Sequence, residues 1–278
     1  MGDIVEKIVE WAQTQPEIRG LILTSSRAGA SRTDEFSDYD IMVLVDNSEK
    51  YLVSADWIRE INPVWVYQKE SFDYKSVIIP TRLVIFEANI KVDFSFWPIE
   101  LINSFAQNLS EDMNMGYVVL LDKDGFAHKL PKPSGSGFVE KKPTKDEFLT
   151  LVHNFWFEVL GVSKYLKRND IFFAKSIDNG IVKEILLKIV IWNIQAKNDW
   201  KIKTHSEGKK MHSWLDDETI KTVGKTYSGF DQNESWESLS NTMEIFRKIA
   251  KETAGLLGYA YPEEVDKNIS QYIEKLKQ

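Results

Sequence analysis

The chain has 278 residues, 43% hydrophobic and 28% charged, with a formal net charge of −7 and no cysteine, which fits one large or two modest folded domains and excludes disulfide and thiolate chemistry. The acidity lies in residues 1–143, with 15 Lys+Arg against 22 Asp+Glu, whereas residues 144–278 carry 20 of each; such a field disfavours nucleic acid as a partner and favours a cationic one. No apolar run reaches membrane-spanning length and no secretory signal pattern precedes the first helix, so a cytoplasmic protein without a membrane partner is expected.

Ile4, Val5, Ile8, Val9 and Ala12 recur at helical spacing and predict an amphipathic helix ending near Pro16. Leu21-Ile22-Leu23 reads as a buried strand. The small-residue turn Thr24-Ser25-Ser26-Arg27-Ala28-Gly29-Ala30 follows, of the kind that lets backbone N–H groups and hydroxyls approach a phosphate. Asp38, Tyr39 and Asp40 then open a second apolar strand, Ile41 to Val45. Side chains two apart on a strand share a face, so Asp38 and Asp40 point the same way. Neighbouring carboxylates repel, and a divalent cation is the commonest reason to hold them together.

Ser48 is read as the cap of a helix running to about Ile61, ended by Pro63, with Val64 to Tyr67 a short strand. Leu83–Phe86, the turn Glu87-Ala88-Asn89 and Ile90–Trp97 form a hairpin. Asp93 sits inside its second strand among Val92, Phe94 and Phe96, where a carboxylate needs a partner if buried. With Asp38 and Asp40 upstream, Asp93 is read as a third metal-site carboxylate. Pro98 to Leu109 looks helical and Tyr117 to Leu121 is another strand. Residues 126–143, rich in proline, glycine and serine, form a crossover.

From Thr144 onward the pattern is helical. Thr144 with Glu147 makes a capping box, and Phe148, Leu151, Val152, Phe155, Val159 and Val162 continue one apolar face. Ile181–Trp192, Trp236–Leu257 and Val265–Leu276 are further helices. The four histidines show no metal-ligand spacing. The expected architecture is therefore α+β: a mixed-sheet domain over 1–143, then an all-helical domain over 144–278.

The turn and the Asp-x-Asp pair resemble the nucleotidyltransferase signature, in which a Gly-Ser turn precedes the aspartates; here Ser25 stands where that pattern has glycine. Taken with VDFSF at 92–96, VVLLDKD at 118–124, NFWFEVLGVSKYLKRNDI at 154–171, TYSGF at 226–230, SWESL at 235–239, FRK at 246–248 and LGYAYP at 257–262, nearly the whole chain resembles the aminoglycoside 6-adenylyltransferase (streptomycin adenylyltransferase) family. The resemblance implies a polymerase-beta-like nucleotidyltransferase sheet followed by a helical substrate-binding domain. It implies transfer of AMP from ATP to a hydroxyl of an aminoglycoside, a cationic small molecule.

Under that reading Ser25, Ser26 and Arg27 hold the triphosphate, and Asp38, Asp40 and Asp93 ligate Mg²⁺. Asp93 can also take the proton from the acceptor hydroxyl, with Glu87 a rival base in an exposed turn. Lys164, in a helical block that matches the family, reaches the ATP phosphates. Two other readings use the same residues: a nucleotidyltransferase with a different small-molecule or protein acceptor, and a non-catalytic nucleotide-binding module.

Overall fold

The structure is a computed structural model that describes residues 3–24, 27–28, 36–135, 140–204 and 206–278. The chain divides into two compact units, Met1–Gly137 and Phe138–Gln278.

The first unit is built on a six-stranded mixed sheet. Its elements are α1 (Asp3–Thr14), β1 (Ile18–Thr24), β2 (Tyr39–Val45), α2 (Glu49–Val53), α3 (Asp56–Ile61), β3 (Val64–Tyr74), β4 (Val77–Phe86), β5 (Ile90–Pro98), α4 (Ile102–Gln107), α5 (Glu111–Met115) and β6 (Val118–Asp122). Strand order is β3-β4-β5-β2-β1-β6. β2 and β5 run parallel, and the other neighbours are antiparallel.

The central strands are apolar on both sides because both faces of the sheet are covered. Ile41, Val43 and Val45 of β2 and Val92, Phe94 and Phe96 of β5 pack with residues of α1, α2 and α3. There Trp11 stacks on Trp57 at 4.9 Å between ring centres and Tyr51 stacks on Phe96 at 5.2 Å, while the Trp57 indole N–H donates to the Tyr51 carbonyl at 3.2 Å. The opposite face carries Met42, Leu44 and Trp97, which pack with Ile102, Phe105, Met113 and Phe126. Gly20 lies under the Phe126 ring, and a Cβ there would drive into it, so the close approach of that ring requires glycine.

Several elements differ from the sequence expectation: β4 begins at Val77 rather than Leu83, the helix expected over 98–109 is α-helical only over Ile102–Gln107, and α5 is not among the expected elements. The single helix over Ser48–Ile61 is two, because Ser54 adopts an extended backbone and its hydroxyl accepts from the Asp56 backbone N–H at 3.0 Å, starting a new helix. The short strand at Val64–Tyr67 continues to Tyr74 and pairs along its length with β4. β3 is an edge strand exposed on both faces, so it has no apolar alternation to mark its end.

The second unit is helical: α6 (Lys145–Lys167), α7 (Ile171–Ile177), α8 (Lys183–Lys197), α9 (Asp217–Gly224), α10 (Gln232–Leu257) and α11 (Glu263–Lys277). Thr144 and Glu147 form the capping box at the start of α6. Phe155 of α6 stacks on Phe246 of α10 at 3.6 Å between ring centres, in a core that includes Phe148, Trp156, Leu186, Ile189 and Trp236. α11 is tied to α10 by Asp266, whose carboxylate accepts from Arg247 Nε and Nη2 at 2.6 and 2.7 Å, and also from Ser270 and Tyr261.

Candidate active site

The β2–β5 pairing places Asp40 opposite Asp93, flanked by Tyr39 opposite Val92 and Ile41 opposite Phe94. With Ile41 and Val92 turned into the core beneath α1–α3, pleating sends Asp40 and Asp93 to the other face. Both line a cleft of about 520 Å³, a volume suited to a small-molecule ligand, together with Thr24, Glu70, Thr81, Ser95, Trp97 and Asp112. Asp38 precedes Asp40 by two residues and enters the same group through Lys91. The Lys91 ammonium lies 2.6 Å from Asp38 Oδ2 and 3.2 Å from Asp93 Oδ2. Lys91 occupies the residue two before Asp93 on β5, so the same pleating that directs Asp93 directs the lysine.

The electrostatics follow from that geometry. Burial lifts the Asp93 pKa above the ordinary carboxylate value. Lys91 pulls it back, and the negative charges of Asp38 and Glu70 push it further up. Burial alone lowers the Lys91 pKa, but hydrogen bonds and attraction to Asp38 and Asp93 outweigh it and hold the lysine above its usual value. Asp93 Oδ2 thus has Lys91, while Asp93 Oδ1 is buried with no hydrogen-bond partner among the described residues. An acceptor oxygen in that state calls for a cation or a proton.

Among the described residues no three His, Asp or Glu side chains form a ready-made metal cluster. The structure joins Asp38 to Asp93 through Lys91, and Asp40 to Asp93 through strand pairing. Lys91 is the site residue that sequence reasoning missed; its two-residue offset from Asp93 on a strand was the available signal.

Arg27 is engaged with the chain that leads into the aspartates. Its Nε and Nη2 donate to the Ser37 carbonyl at 2.8 and 2.5 Å, and its guanidinium stacks on the Tyr39 ring at 4.0 Å from the centre. Ser25 and Ser26 lie outside the described residues. Glu87 is exposed in the turn between β4 and β5. Lys164 belongs to the second unit, exposed near the end of α6.

The sequence matches the family model for streptomycin adenylyltransferase over residues 1–276. An aminoglycoside 6-adenylyltransferase of Bacillus subtilis (strain 168) is 29% identical over 98% of this chain and 96% of its own length. The enzyme of the same name from Campylobacter jejuni is 27% identical, over 99% of this chain and 95% of its own. The crystal structure of an aminoglycoside 6-adenyltransferase from Bacillus subtilis superposes with a TM-score of 0.50 at 26% identity, covering all of this chain and 99% of that one.

Proposed function

The chain belongs to the streptomycin adenylyltransferase family, a class of nucleotidyltransferase enzymes, and from that membership we propose that it transfers AMP from ATP to an aminoglycoside, at the 6-hydroxyl of streptomycin, releasing pyrophosphate. The observation that carries this reading is the pairing of Asp40 with Asp93 at the floor of a cleft, with Asp93 Oδ1 buried and unsatisfied. In this reading the first unit, Met1–Gly137, is the nucleotidyltransferase domain and the second, Phe138–Gln278, is a helical substrate-binding domain, the boundary lying a few residues before the expected 143/144.

Adenylyl transfer needs a held triphosphate, neutralised charge at the α-phosphorus and an activated hydroxyl. Ser25 and Ser26 are assigned to the triphosphate from the sequence pattern. Arg27, held by the Ser37 carbonyl and the Tyr39 ring, brings a positive charge to the same stretch of chain. Asp38, Asp40 and Asp93 fit Mg²⁺: their donors are hard carboxylate oxygens, one of them an orphaned acceptor, and Lys91 already marks the place as one that holds a cation. When bound, the ion would neutralise phosphate charge and polarise the α-phosphoryl group. The acceptor hydroxyl oxygen attacks the α-phosphorus, the bond to the bridging oxygen breaks, and pyrophosphate leaves. The hydroxyl proton passes to the Asp93 carboxylate, which lines the cleft.

The acidic first half of the sequence suits a guanidinium-bearing, multiply charged acceptor. Among the described residues no helix is long and apolar enough to cross a membrane. ATP as co-substrate places the enzyme in the cytoplasm under this proposal. The test is ATP-dependent release of pyrophosphate, expected with streptomycin and not with kanamycin. No turnover with any aminocyclitol would overturn the reading.

A further inference from the structure

The cleft holds a second polar row that the adenylyl-transfer steps leave unused. Register sets Glu70 of β3 opposite Thr81 of β4, and Thr81 opposite Ser95 of β5. Leu83, Asp93 and Asp40 form the next row on the same face, about 7 Å away along the strands. Glu70, Thr81 and Ser95 all line the cleft, with Asp112 of α5 and the rings of Phe72, Tyr74 and Trp97.

Ser95 is already occupied. Its hydroxyl accepts from the Trp97 indole N–H at 2.8 Å and donates to the Ile41 carbonyl at 3.4 Å. Thr81 is not. It is 6% exposed, and its hydroxyl has no hydrogen-bond partner among the described residues. A buried hydroxyl left unsatisfied in a cleft wall is a group that a ligand contact would satisfy. Among the described residues Glu70 Oε1 accepts only a neutral bond, from the Gln68 amide at 2.8 Å. Among the described residues neither Glu70 nor Asp112 has a lysine or arginine within ion-pair distance. Two carboxylates without cations, an open hydroxyl donor and aromatic walls make a receptor for a protonated amine or guanidinium on a polyhydroxylated ring.

We propose that the Glu70–Thr81 row, with Asp112, is the subsite that binds the acceptor's cationic group and sets acceptor specificity. Glu70 receives the amine or guanidinium, and Thr81 pairs with a polar group beside it. One row further along the strands, the reacting hydroxyl then meets Asp93. This inference rests on the proposed function and assigns residues to its acceptor.

The test uses the full chain with Glu70→Gln, Thr81→Val and Thr81→Ser, and reads streptomycin binding by calorimetry without ATP beside steady-state AMP transfer. Glu70→Gln is expected to weaken streptomycin binding at least tenfold and to flatten its salt dependence, with the KM for ATP unchanged. Thr81→Val is expected to weaken it about fivefold, and Thr81→Ser to restore it. Streptomycin affinities within twofold of wild type in folded Glu70→Gln and Thr81→Val would overturn the subsite and leave AMP transfer by the wild type standing. Wild-type binding without AMP transfer would overturn the reaction and leave the subsite to be judged by the binding arm. A wild type that binds no aminoglycoside would overturn both.

Discussion

Asp40 and Asp93 are register partners across β2 and β5, the parallel pair in an otherwise antiparallel sheet. Antiparallel neighbours can be joined by a short turn, as β4 and β5 are. A parallel pair needs a crossover, and here α2, α3, β3 and β4 supply it between the two aspartates in sequence. The acidic floor therefore depends on tertiary pairing of segments some fifty residues apart, and its roles can be tested one residue at a time.

Lys91 is expected to act as a built-in counter-ion. In Lys91→Met, Asp38 and Asp93 lose their shared ammonium and repel, so the variant should melt below wild type in EDTA. A divalent ion then has more to relieve. Thermal melts should show Mg²⁺ raising the Tm of Lys91→Met by about 2 °C more than it raises that of wild type, or further. Equal Mg²⁺-induced shifts in the two proteins would count against a cation site at these carboxylates.

Arg27 separates geometry from charge. Two of its nitrogens meet one carbonyl while its plane stacks on Tyr39, an arrangement that a lysine cannot copy. Arg27→Lys is therefore expected to lose about tenfold in kcat/KM despite keeping the charge, with Tm within a few degrees of wild type. Wild-type kinetics in Arg27→Lys would show that only the charge matters.

Arg82 offers a stability prediction on the far side of the sheet. It is 4% exposed, donates to the Thr81 and Leu52 carbonyls at 3.0 and 2.7 Å, and leaves its Nε buried without a partner among the described residues. Burial holds its pKa below the ordinary guanidinium value. Replacing so poorly compensated a cation with an apolar side chain of similar length recovers desolvation energy. Denaturant melts of Arg82→Met should lie within about 1 kcal/mol of wild type or above it. A loss of more than about 3 kcal/mol would contradict this.

Asp266 carries the acid sensitivity of the helical unit. Burial alone would raise its pKa, but Arg247, Ser270 and Tyr261 bind the charged form and bring the pKa below the usual value. A depressed carboxylate contributes stability above its unfolded pKa of about 4, and that stability fades as pH falls through the lower folded value. Asp266→Asn should cost about 2–3 kcal/mol at pH 7, because the partly buried Arg247 loses its partner. The difference from wild type should shrink below about pH 4. A difference independent of pH would mean that the carboxylate's charge is not what matters.

The legible parts of the sequence share a physical cause. Asp40 and Asp93 stood out because a carboxylate at regular offset in an apolar strand departs from the pattern around it. The capping box at Thr144 and Glu147 was readable because both partners lie within one turn. Lys91 was missed because a lysine near a strand end usually faces water, and its meaning comes from Asp38, 53 residues away in sequence. The extent of β3 was hidden because Gln68-Lys69-Glu70 lies on an edge with no core to face. Thr81 carried no sequence signal at all, since an unsatisfied hydroxyl is a property of packing alone.

The most direct test of the central claim is AMP transfer to streptomycin, followed by mass spectrometry, for wild type, Asp40→Asn and Asp93→Asn at saturating ATP and Mg²⁺. The expected result is adenylylated streptomycin from wild type, a loss of at least about 100-fold in either variant, and melting temperatures close to wild type in both. Turnover in folded Asp93→Asn within a few-fold of wild type would contradict it.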